Sequence, residues 1–213
     1  MKQGDFIEID FVGRILLTGE IFDLTLESVA KESNIYNKNH KYKPKLVVVG
    51  NGMVIPGVER ELEKMKVGEE KEFEVKPEDA LGNRSQKLIK ILSLAKFKKE
   101  NINPAPGIFV DIDGITAKIQ SVSGGRVMVD FNHPLAGKAL KYWIRINKII
   151  EEPLEKAKAM LDHYGIKCET KLEGETLSIK LDKKTDNIVK EFLKNSITKW
   201  IREIKDMNFE EKS

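Results

Sequence analysis

The sequence is nearly without cysteine: Cys168 is the only one among 213 residues. An internal disulfide is therefore excluded, which fits a reducing compartment. No apolar run approaches the roughly 20 residues that a membrane-spanning helix needs, so we expect no membrane partner. The start of the chain lacks the charged and then apolar layout of a signal peptide. Together these features predict a cytoplasmic protein.

Residues that carry metal or covalent chemistry are also scarce. The histidines, His40, His133 and His163, are scattered without a ligand spacing, so we expect no metal and no other cofactor. Cys168 alternates with Ile166 on a predicted strand, which indicates a buried and unreactive thiol. The sequence also has no recognisable catalytic triad or metal cluster.

Charge is plentiful but balanced. Charged residues make up 33% of the sequence and apolar residues 40%, yet the formal net charge is only +3. Both signs interleave except in a basic run from Lys87 to Lys99, which we interpret as a solvated surface. We therefore do not expect nucleic acid as a partner. A ribosome-associated role with salt-sensitive binding is a weaker alternative.

Alternating apolar residues predict the strands of a first domain. Ile9 and Phe11 alternate with acidic neighbours, which is typical of a half-buried strand. The β-branched run 45–50 predicts a buried strand, and residues 139–150 form another alternating one. A helix is predicted to begin at Pro56, since proline suits the first helical position. These elements predict a sheet with one short helix.

The pattern changes after Gly82. A basic segment is followed by a turn at residues 103–107, which holds two prolines and a glycine. Gly124 and Gly125 predict a hairpin between the last two of three β-rich runs, 108–112, 115–122 and 126–131. The segment has more apolar residues than about 45 residues can bury, so we expect an apolar rim that binds unfolded chains. The rim candidates are Leu92, Leu94, Phe97, Ile102 and Phe109.

The last 60 or so residues are predicted to form an α-β-β-α unit. A helix after Pro153 precedes a strand pair, and the final helix is expected from about Thr185 to Asp206. Its apolar stripe is wider than one hairpin can cover and contains Val189, Phe192, Leu193, Ile197, Trp200, Ile201 and Ile204. The hairpin edges, at Cys168–Leu172 or Leu177–Leu181, also offer unpaired backbone groups. We therefore expect this unit to form a homodimer; the alternative is a monomer whose tail packs on its own first domain.

Two decapeptides carry a specific resemblance. Gly50 to Glu59 reads Gly-Asn-Gly-Met-Val-Ile-Pro-Gly-Val-Glu, and Val129 to Lys138 reads Val-Asp-Phe-Asn-His-Pro-Leu-Ala-Gly-Lys. The first resembles the pocket floor of FKBP-type peptidyl-prolyl cis-trans isomerases. The second resembles the hinge by which the SlyD-like members of that family return from an inserted domain, and it gives His133 a structural role. With Ile21-Phe22-Asp23 and Pro77 to Gly82 in the family order, the similarity covers residues 2–150.

The resemblance implies an α+β fold, in which the FKBP antiparallel sheet wraps on one short helix. It implies a prolyl isomerase and folding chaperone of the long archaeal form, whose partners are unfolded or nascent clients with Xaa-Pro bonds. The inserted domain would be mostly β and capture clients. The expected division is an isomerase domain of 1–83 and 131–151, an inserted chaperone domain of 84–130, and a C-terminal dimerisation domain of 152–213.

The resemblance also implies the roles of site residues. Phe22 would wall a proline pocket, and Asp23 would place a carboxylate at its rim. The backbone N–H of Ile55 would donate to a substrate carbonyl. Further positions matched to the pocket are Val54 in its floor, Val58 at its base and Tyr142, where the family usually has Phe.

Two positions depart from the family pattern. Phe11 and Leu81 stand where the family often has tyrosines, whose hydroxyls reach the aspartate and the substrate. Each lost hydrogen bond is worth about 0.5–1.5 kcal/mol. The resemblance therefore predicts a weakened isomerase, and the alternative is a holdase-type chaperone whose isomerase activity has largely decayed.

Overall fold

The computed structural model describes residues 1–211, and it is built from strands with a few short helices. The strands are β1 (Phe6–Ile15), β2 (Ile21–Leu24), β3 (Lys45–Val48), β4 (Glu70–Val75), β5 (Ile89–Ser93), β6 (Phe109–Ile112), β7 (Ile115–Ser123), β8 (Arg126–Asp130), β9 (Leu140–Ile150), β10 (Cys168–Glu173), β11 (Thr176–Leu181) and β12 (Asp206–Glu211). The α-helices are α1 (Glu27–Glu32), α2 (Pro56–Lys64), α3 (Leu94–Lys99), α4 (Pro153–His163) and α5 (Asn187–Trp200). Mixed helix and antiparallel sheet confirm the α+β class.

A five-stranded antiparallel sheet forms the first body. Its order is β2-β1-β9-β4, and β3 also pairs with β1. Helix α2 packs on this sheet because its apolar stripe, Val58 and Leu62 with Met65 just beyond its end, is buried against Ile9 and its neighbours. The helix approaches β4 closely, since a Cβ on Gly57 would lie 2.4 Å from a methyl carbon of Val75.

A second sheet lies between β4 and β9 in the chain. Its four antiparallel strands have the order β5-β8-β7-β6, and the Gly124-Gly125 turn joins β7 to β8. Both glycines have positive φ values of 55° and 74°, which suit a two-residue hairpin turn. Helix α3 and strand β5 occupy the basic segment, and Phe97 of α3 is buried in this sheet's own core.

The C-terminal unit differs from the predicted α-β-β-α order. Helix α5 ends at Trp200, a turn follows, and β12 pairs in parallel with β11 to complete a three-stranded sheet. The prediction of a helix to Asp206 was wrong because Ile201 and Ile204 keep a helical spacing after the helix has ended. Both are fully buried, but from the turn that leads into β12.

The C-terminal unit shares a core with the first sheet. Phe6, Leu46 and Val48 of that sheet pack in one cluster with residues of α4, β11 and α5. Much of the predicted apolar stripe is covered in this way: Leu193, Ile197, Ile201 and Ile204 are buried within the chain. The proposed free edge at Leu177–Leu181 was also wrong, because β11 lies between β10 and β12. Among the described residues, no helix is long and apolar enough to cross a membrane.

Candidate functional site

A cavity of about 300 Å³ lies between the first sheet and the turn before α2. Its lining is mostly apolar, with one carboxylate and one ammonium group at the margin. The residues that line it are Ile9, Phe11, Asp23, Lys45, Gly52, Met53, Val54, Ile55, Val58, Tyr142 and Ile144. Six of the residues that the sequence assigned to a proline pocket are therefore brought together here: Phe11, Asp23, Val54, Ile55, Val58 and Tyr142.

The alternation of strands β1 and β9 directs four of these side chains into the cavity. Ile9 and Phe11 are two residues apart on β1, and Tyr142 and Ile144 are two residues apart on β9. Residues with this spacing lie on the same face of a sheet. Phe11 pairs with Ile144 across the two strands, so the four side chains form one wall.

The floor comes from the turn that leads into α2. Ile55 caps the helix in an extended conformation, and its carbonyl accepts the backbone N–H groups of Val58 and Glu59 at 3.0 and 3.1 Å. Within residues 1–211, the N–H of Ile55 itself has no acceptor at hydrogen-bonding distance. Since Ile55 lines the cavity, this donor is left for a ligand or water.

The loop before the floor is held by one carboxylate. Glu59 Oε1 accepts the N–H of Gly50 at 2.6 Å and lies 3.5 Å from the N–H of Gly52. Both glycines have positive φ values, 84° and 70°, which other residues adopt at a cost. The Gly-Asn-Gly sequence thus shapes the loop that presents Met53 and Val54 to the cavity.

Phe22 and Asp23 lie on β2 beside the cavity. The Phe22 ring crosses directly over Gly13 of β1, where a Cβ would lie 2.5 Å from its Cζ atom. It contacts Tyr142 edge-on, with 5.8 Å between ring centroids. Phe22 therefore flanks Tyr142 on the same face of the sheet as the cavity wall, whereas Asp23 is exposed and lines the cavity itself.

Within residues 1–211, Tyr142 is the only phenol that lines the cavity. Its ring stacks on Phe73, with 6.1 Å between centroids, and is tilted against Phe11 at 6.3 Å. Burial, and then the negative charge of Asp23, raise the pKa of Tyr142 to about 12. The hydroxyl is therefore protonated at neutral pH and able to donate a hydrogen bond.

Other predicted site residues lie elsewhere. Leu81 is 39% exposed and does not line the cavity, so the structure does not support a pocket contact from this position. Phe97 was wrongly assigned to a client-binding rim, because it is 1% exposed and forms the core of the inserted sheet. Leu92, Leu94 and Ile102 are half-buried against that core, while Phe109 is 52% exposed.

Sequence reasoning did not assign five residues of the cavity: Ile9, Lys45, Gly52, Met53 and Ile144. Ile9 and Ile144 carried a usable signal, since each is two residues from an assigned pocket residue on the same strand. Met53 adjoins the assigned floor and accepts the Val48 N–H at its Sδ atom, 3.3 Å away. Lys45 carried no signal, because only the pairing of β3 with β1 brings it to the cavity.

Two chain segments connect the inserted sheet to the first sheet, and they are hydrogen-bonded to each other. Asp130, which is buried, accepts Nε and Nη2 of Arg84 at 2.8 and 2.5 Å and the Asn132 N–H at 2.9 Å. Burial opposes ionisation of Asp130, but the hydrogen bonds from Asn132 and Arg84 outweigh it and hold its pKa below the usual range. Asn132 Oδ1 accepts the Ser85 N–H at 2.8 Å, and His133 Nδ1 accepts the Leu135 N–H at 3.1 Å.

A cleft of about 650 Å³ opens between the two sheets. Phe22 lines it from the first sheet, and Phe109 lines it from the inserted sheet. Lys118 Nζ lies 5.6 Å from the Phe109 ring centroid and also lines the cleft. Phe22 therefore stands between the small cavity, whose wall it supports, and a much larger open surface.

In the described residues, neither a metal-ligand cluster nor the Cys168 thiol adjoins the cavity. In the described part of the chain, no group of three or more His, Cys, Asp or Glu side chains is placed to hold a metal ion. Cys168 is half-buried, and burial, followed by the charge of Asp182, raises the pKa of its thiol. The polar side chains that line the cavity in the described residues are those of Asp23, Lys45 and Tyr142.

Comparison with known proteins gives consistent results. A family model described as FKBP-type peptidyl-prolyl cis-trans isomerase matches residues 1–98, and one described as FKBP26, IF domain, matches residues 90–135. A short-type peptidyl-prolyl cis-trans isomerase of Methanocaldococcus jannaschii is 37% identical over 149 residues, which cover 70% of this chain and 94% of that protein.

Two bacterial relatives are more distant. The FKBP-type peptidyl-prolyl cis-trans isomerase SlyD of Helicobacter pylori is 28% identical over 139 residues, 64% of this chain and 75% of that protein. An FKBP-type 16 kDa peptidyl-prolyl cis-trans isomerase of Escherichia coli is 33% identical over 112 residues, 50% of this chain and 74% of that protein. Neither of the two matching family models extends beyond residue 135, so they leave the C-terminal unit without a counterpart.

Proposed function

Because the chain belongs to the FKBP-type peptidyl-prolyl cis-trans isomerases, we propose that the cavity between β1, β9 and α2 binds the prolyl ring of a client during isomerisation. The protein is a prolyl isomerase with the chaperone function of the SlyD type. The observation that carries the pocket assignment is the Ile55 N–H, which has no acceptor in residues 1–211 although Ile55 lines an apolar cavity. We place this activity in the cytoplasm.

The reaction suits such a site. Rotation about a peptide bond must cross a barrier of about 18–20 kcal/mol, yet it breaks no bond. Amide resonance places negative charge on the carbonyl oxygen, and water stabilises that planar form. An apolar pocket that excludes water therefore favours the twisted amide, and a directed donor such as Ile55 N–H holds the flanking peptide.

A capped Xaa-Pro tetrapeptide tests this proposal by exchange NMR. We expect faster cis-trans exchange with the protein present, and a peptide-dependent shift of the Ile55 amide resonance. Catalysis without a shift at Ile55 would contradict the pocket assignment. A folded protein that suppresses aggregation but leaves the exchange rate unchanged would favour the holdase alternative.

We expect the Tyr142 hydroxyl to donate a hydrogen bond in the cavity, where Phe11 has no hydroxyl to do so. Its protonated phenol lines the cavity together with Asp23, so it can donate to a bound carbonyl or share a hydrogen-bonding network with that carboxylate. The change Tyr142→Phe keeps the ring contacts with Phe22 and Phe73 but removes the hydroxyl. We expect kcat/KM for a tetrapeptide to fall about threefold to tenfold, which corresponds to one hydrogen bond.

The control for this substitution is Tyr164→Phe, which removes a hydroxyl outside the cavity. It should leave kcat/KM unchanged. Equal rates for Tyr142→Phe and the original protein would show that the hydroxyl takes no part, and the cavity would then act through its apolar surface and backbone alone.

We also propose that clients bind across the cleft between the two sheets. Phe109 presents an exposed ring at the inserted sheet, and Phe22 lies at the opposite wall beside the cavity. An extended chain that lies along the cleft would therefore place a proline near the cavity while its apolar side chains contact the insert. The half-buried Leu92, Leu94 and Ile102 pack against the core of the inserted sheet and do not line this cleft.

We also propose that the protein forms a homodimer through the C-terminal unit. The exposed apolar surface available for this contact is smaller than the sequence predicted. Ile188 is 77% exposed, and Val189 and Phe192 extend the same apolar strip on the first half of α5. A two-fold axis on this strip would bring the same patch of two copies together. Two cavities and two inserts would then act on one client, which raises their effective concentration.

Sedimentation velocity at micromolar concentration tests the dimer. We expect a dimer for the full chain and a monomer for Ile188→Lys, because the new charge would be buried at the two-fold axis. Asn187→Lys adds the same charge next to the strip and should remain dimeric. Deleting the C-terminal unit is a poor test, since it would uncover Phe6 and Val48. A monomeric full chain would refute the proposal.

A further inference from the structure

A second cavity, of about 340 Å³, opens directly beside the proposed proline pocket. Phe11, Asp23 and Lys45 line both cavities, so the two are continuous along the surface. The far wall is formed by Ala159 and His163 of α4, which belongs to the C-terminal unit. That unit therefore lines a surface that a peptide in the proline pocket would reach.

The charges of this second cavity are partly neutralised within the chain. Apart from its histidines, six ionisable residues line it: Glu8, Asp23, Lys41, Lys43, Lys45 and Asp162. Lys148 pairs with Glu8 at 3.2 Å, and Lys43 pairs with Asp162. Among residues 1–211, neither Lys41 nor Lys45 forms an ion pair. Two ammonium groups thus remain for a ligand, against the single carboxylate of Asp23.

Lys45 is the better placed of the two. It is half-buried, and its Nζ lies 5.6 Å from the centroid of the Phe11 ring, which lines both cavities. A charge beside an apolar ring is less screened by water, so it attracts an opposite charge more strongly. Burial first, and then the positive charge of Lys45, lower the pKa of His163. The His163 ring is therefore neutral at neutral pH, and one of its nitrogens is a hydrogen-bond donor.

We propose that this second cavity is a subsite for an acidic side chain of the client, one or two residues from the isomerised proline. Lys45 would pair with the carboxylate, and Lys41 and the His163 ring would lie around it. The second cavity shares a wall with the proline pocket, and successive residues of an extended chain are about 3.3–3.6 Å apart. Only close neighbours of the proline in the client sequence would therefore reach the second cavity. The subsite rests on the proposed function, and it gives the C-terminal unit a role in client selection.

Capped peptides with uncharged ends test the subsite. In four peptides, Glu stands two before, one before, one after or two after the proline, and each has a partner with Gln at the same position. At low salt, we expect Glu to raise kcat/KM over Gln about threefold or more at one of these positions, as a partly buried ion pair would. The ratio should approach one in high salt.

The ratio of the Glu to the Gln peptide is also the readout for variants, because it does not depend on the basal rate. Lys45→Gln should bring the ratio close to one, and Lys45→Glu should invert it. Lys41→Glu should lower it as well, and this variant changes an exposed residue if Lys45 proves necessary for folding. Lys183→Gln removes an exposed charge that does not line the cavity and should leave the ratio unchanged.

The outcomes separate the two proposals. If the protein isomerises no Gln peptide, the proposed function fails. If it isomerises the Gln peptides but favours Glu at none of the four positions, the subsite is overturned and the proline pocket stands. A preference for Glu that survives both Lys45→Gln and Lys41→Glu would also overturn the subsite.

Discussion

Replacing residues 84–130 by a short glycine-rich linker should leave tetrapeptide isomerisation largely intact and reduce catalysed refolding of a protein client about tenfold or more. The chain leaves and re-enters the first sheet at one place, since Asn132 Oδ1 lies 2.8 Å from the Ser85 N–H and Gly82 O lies 2.8 Å from the Gly137 N–H. A short linker therefore spans the gap. The inserted sheet has its own core around Phe97, so its removal exposes little of the remaining protein.

The measurement is refolding of a reduced, unfolded protein whose slow phase is prolyl isomerisation, with suppression of aggregation as a second readout. Phe109→Ala is the matching point variant in the intact chain, because it removes the exposed ring and keeps the inserted sheet. It should lose part of the refolding activity without changing tetrapeptide rates. A shortened protein that refolds clients as well as the full chain would show that the insert is not the capture site.

The change Phe22→Ala should lower kcat/KM for a tetrapeptide about tenfold or more, which is 1.4 kcal/mol of transition-state stabilisation. The Phe22 ring lies edge-on against Tyr142, 5.8 Å between centroids, and separates the cavity wall from the open cleft. Removal of the ring would admit water beside Tyr142, on the face of the sheet that carries the cavity. Water stabilises the planar amide, so the barrier to rotation would rise towards its value in solution.

Phe22→Leu is the control for this prediction. A leucine keeps an apolar wall over Gly13 but loses the edge-on contact, so an intermediate rate is expected. The thermal unfolding midpoint of each variant shows whether a slower rate reflects lost folding. If Phe22→Ala is folded and isomerises the tetrapeptide at the original rate, the cavity described here is not the site of catalysis.

Local patterns in the sequence predicted the elements around the cavity. The alternation of apolar residues in β1 and β9 and proline at the first position of α2 depend only on neighbours along the chain. The same alternation also places Ile9 and Ile144 on the cavity face, two residues from Phe11 and Tyr142. The Gly124-Gly125 hairpin was predicted for the same reason, since its positive φ angles favour glycine.

Features that depend on distant segments could not be predicted in this way. Lys45 reaches the cavity only through the pairing of β3 with β1, and His163 comes to the neighbouring cavity through the packing of α4. Phe97 is an apolar residue in a segment rich in apolar side chains, so the sequence did not distinguish a buried position from an exposed one. The fold of the insert shows that Phe97 is buried. In each case, the neighbours of a residue along the chain do not specify its partners in space.

The sequence by itself therefore predicted the class of the protein and six of the residues that line the cavity, because two decapeptides and strand alternation carry both. The tertiary structure decided how the C-terminal unit is built and where it lies. Strand β12 pairs in parallel with β11 across the intervening helix α5, and Phe6 shares a core with α4. Parallel pairing and a shared core join residues far apart in the chain, and no local periodicity records such contacts.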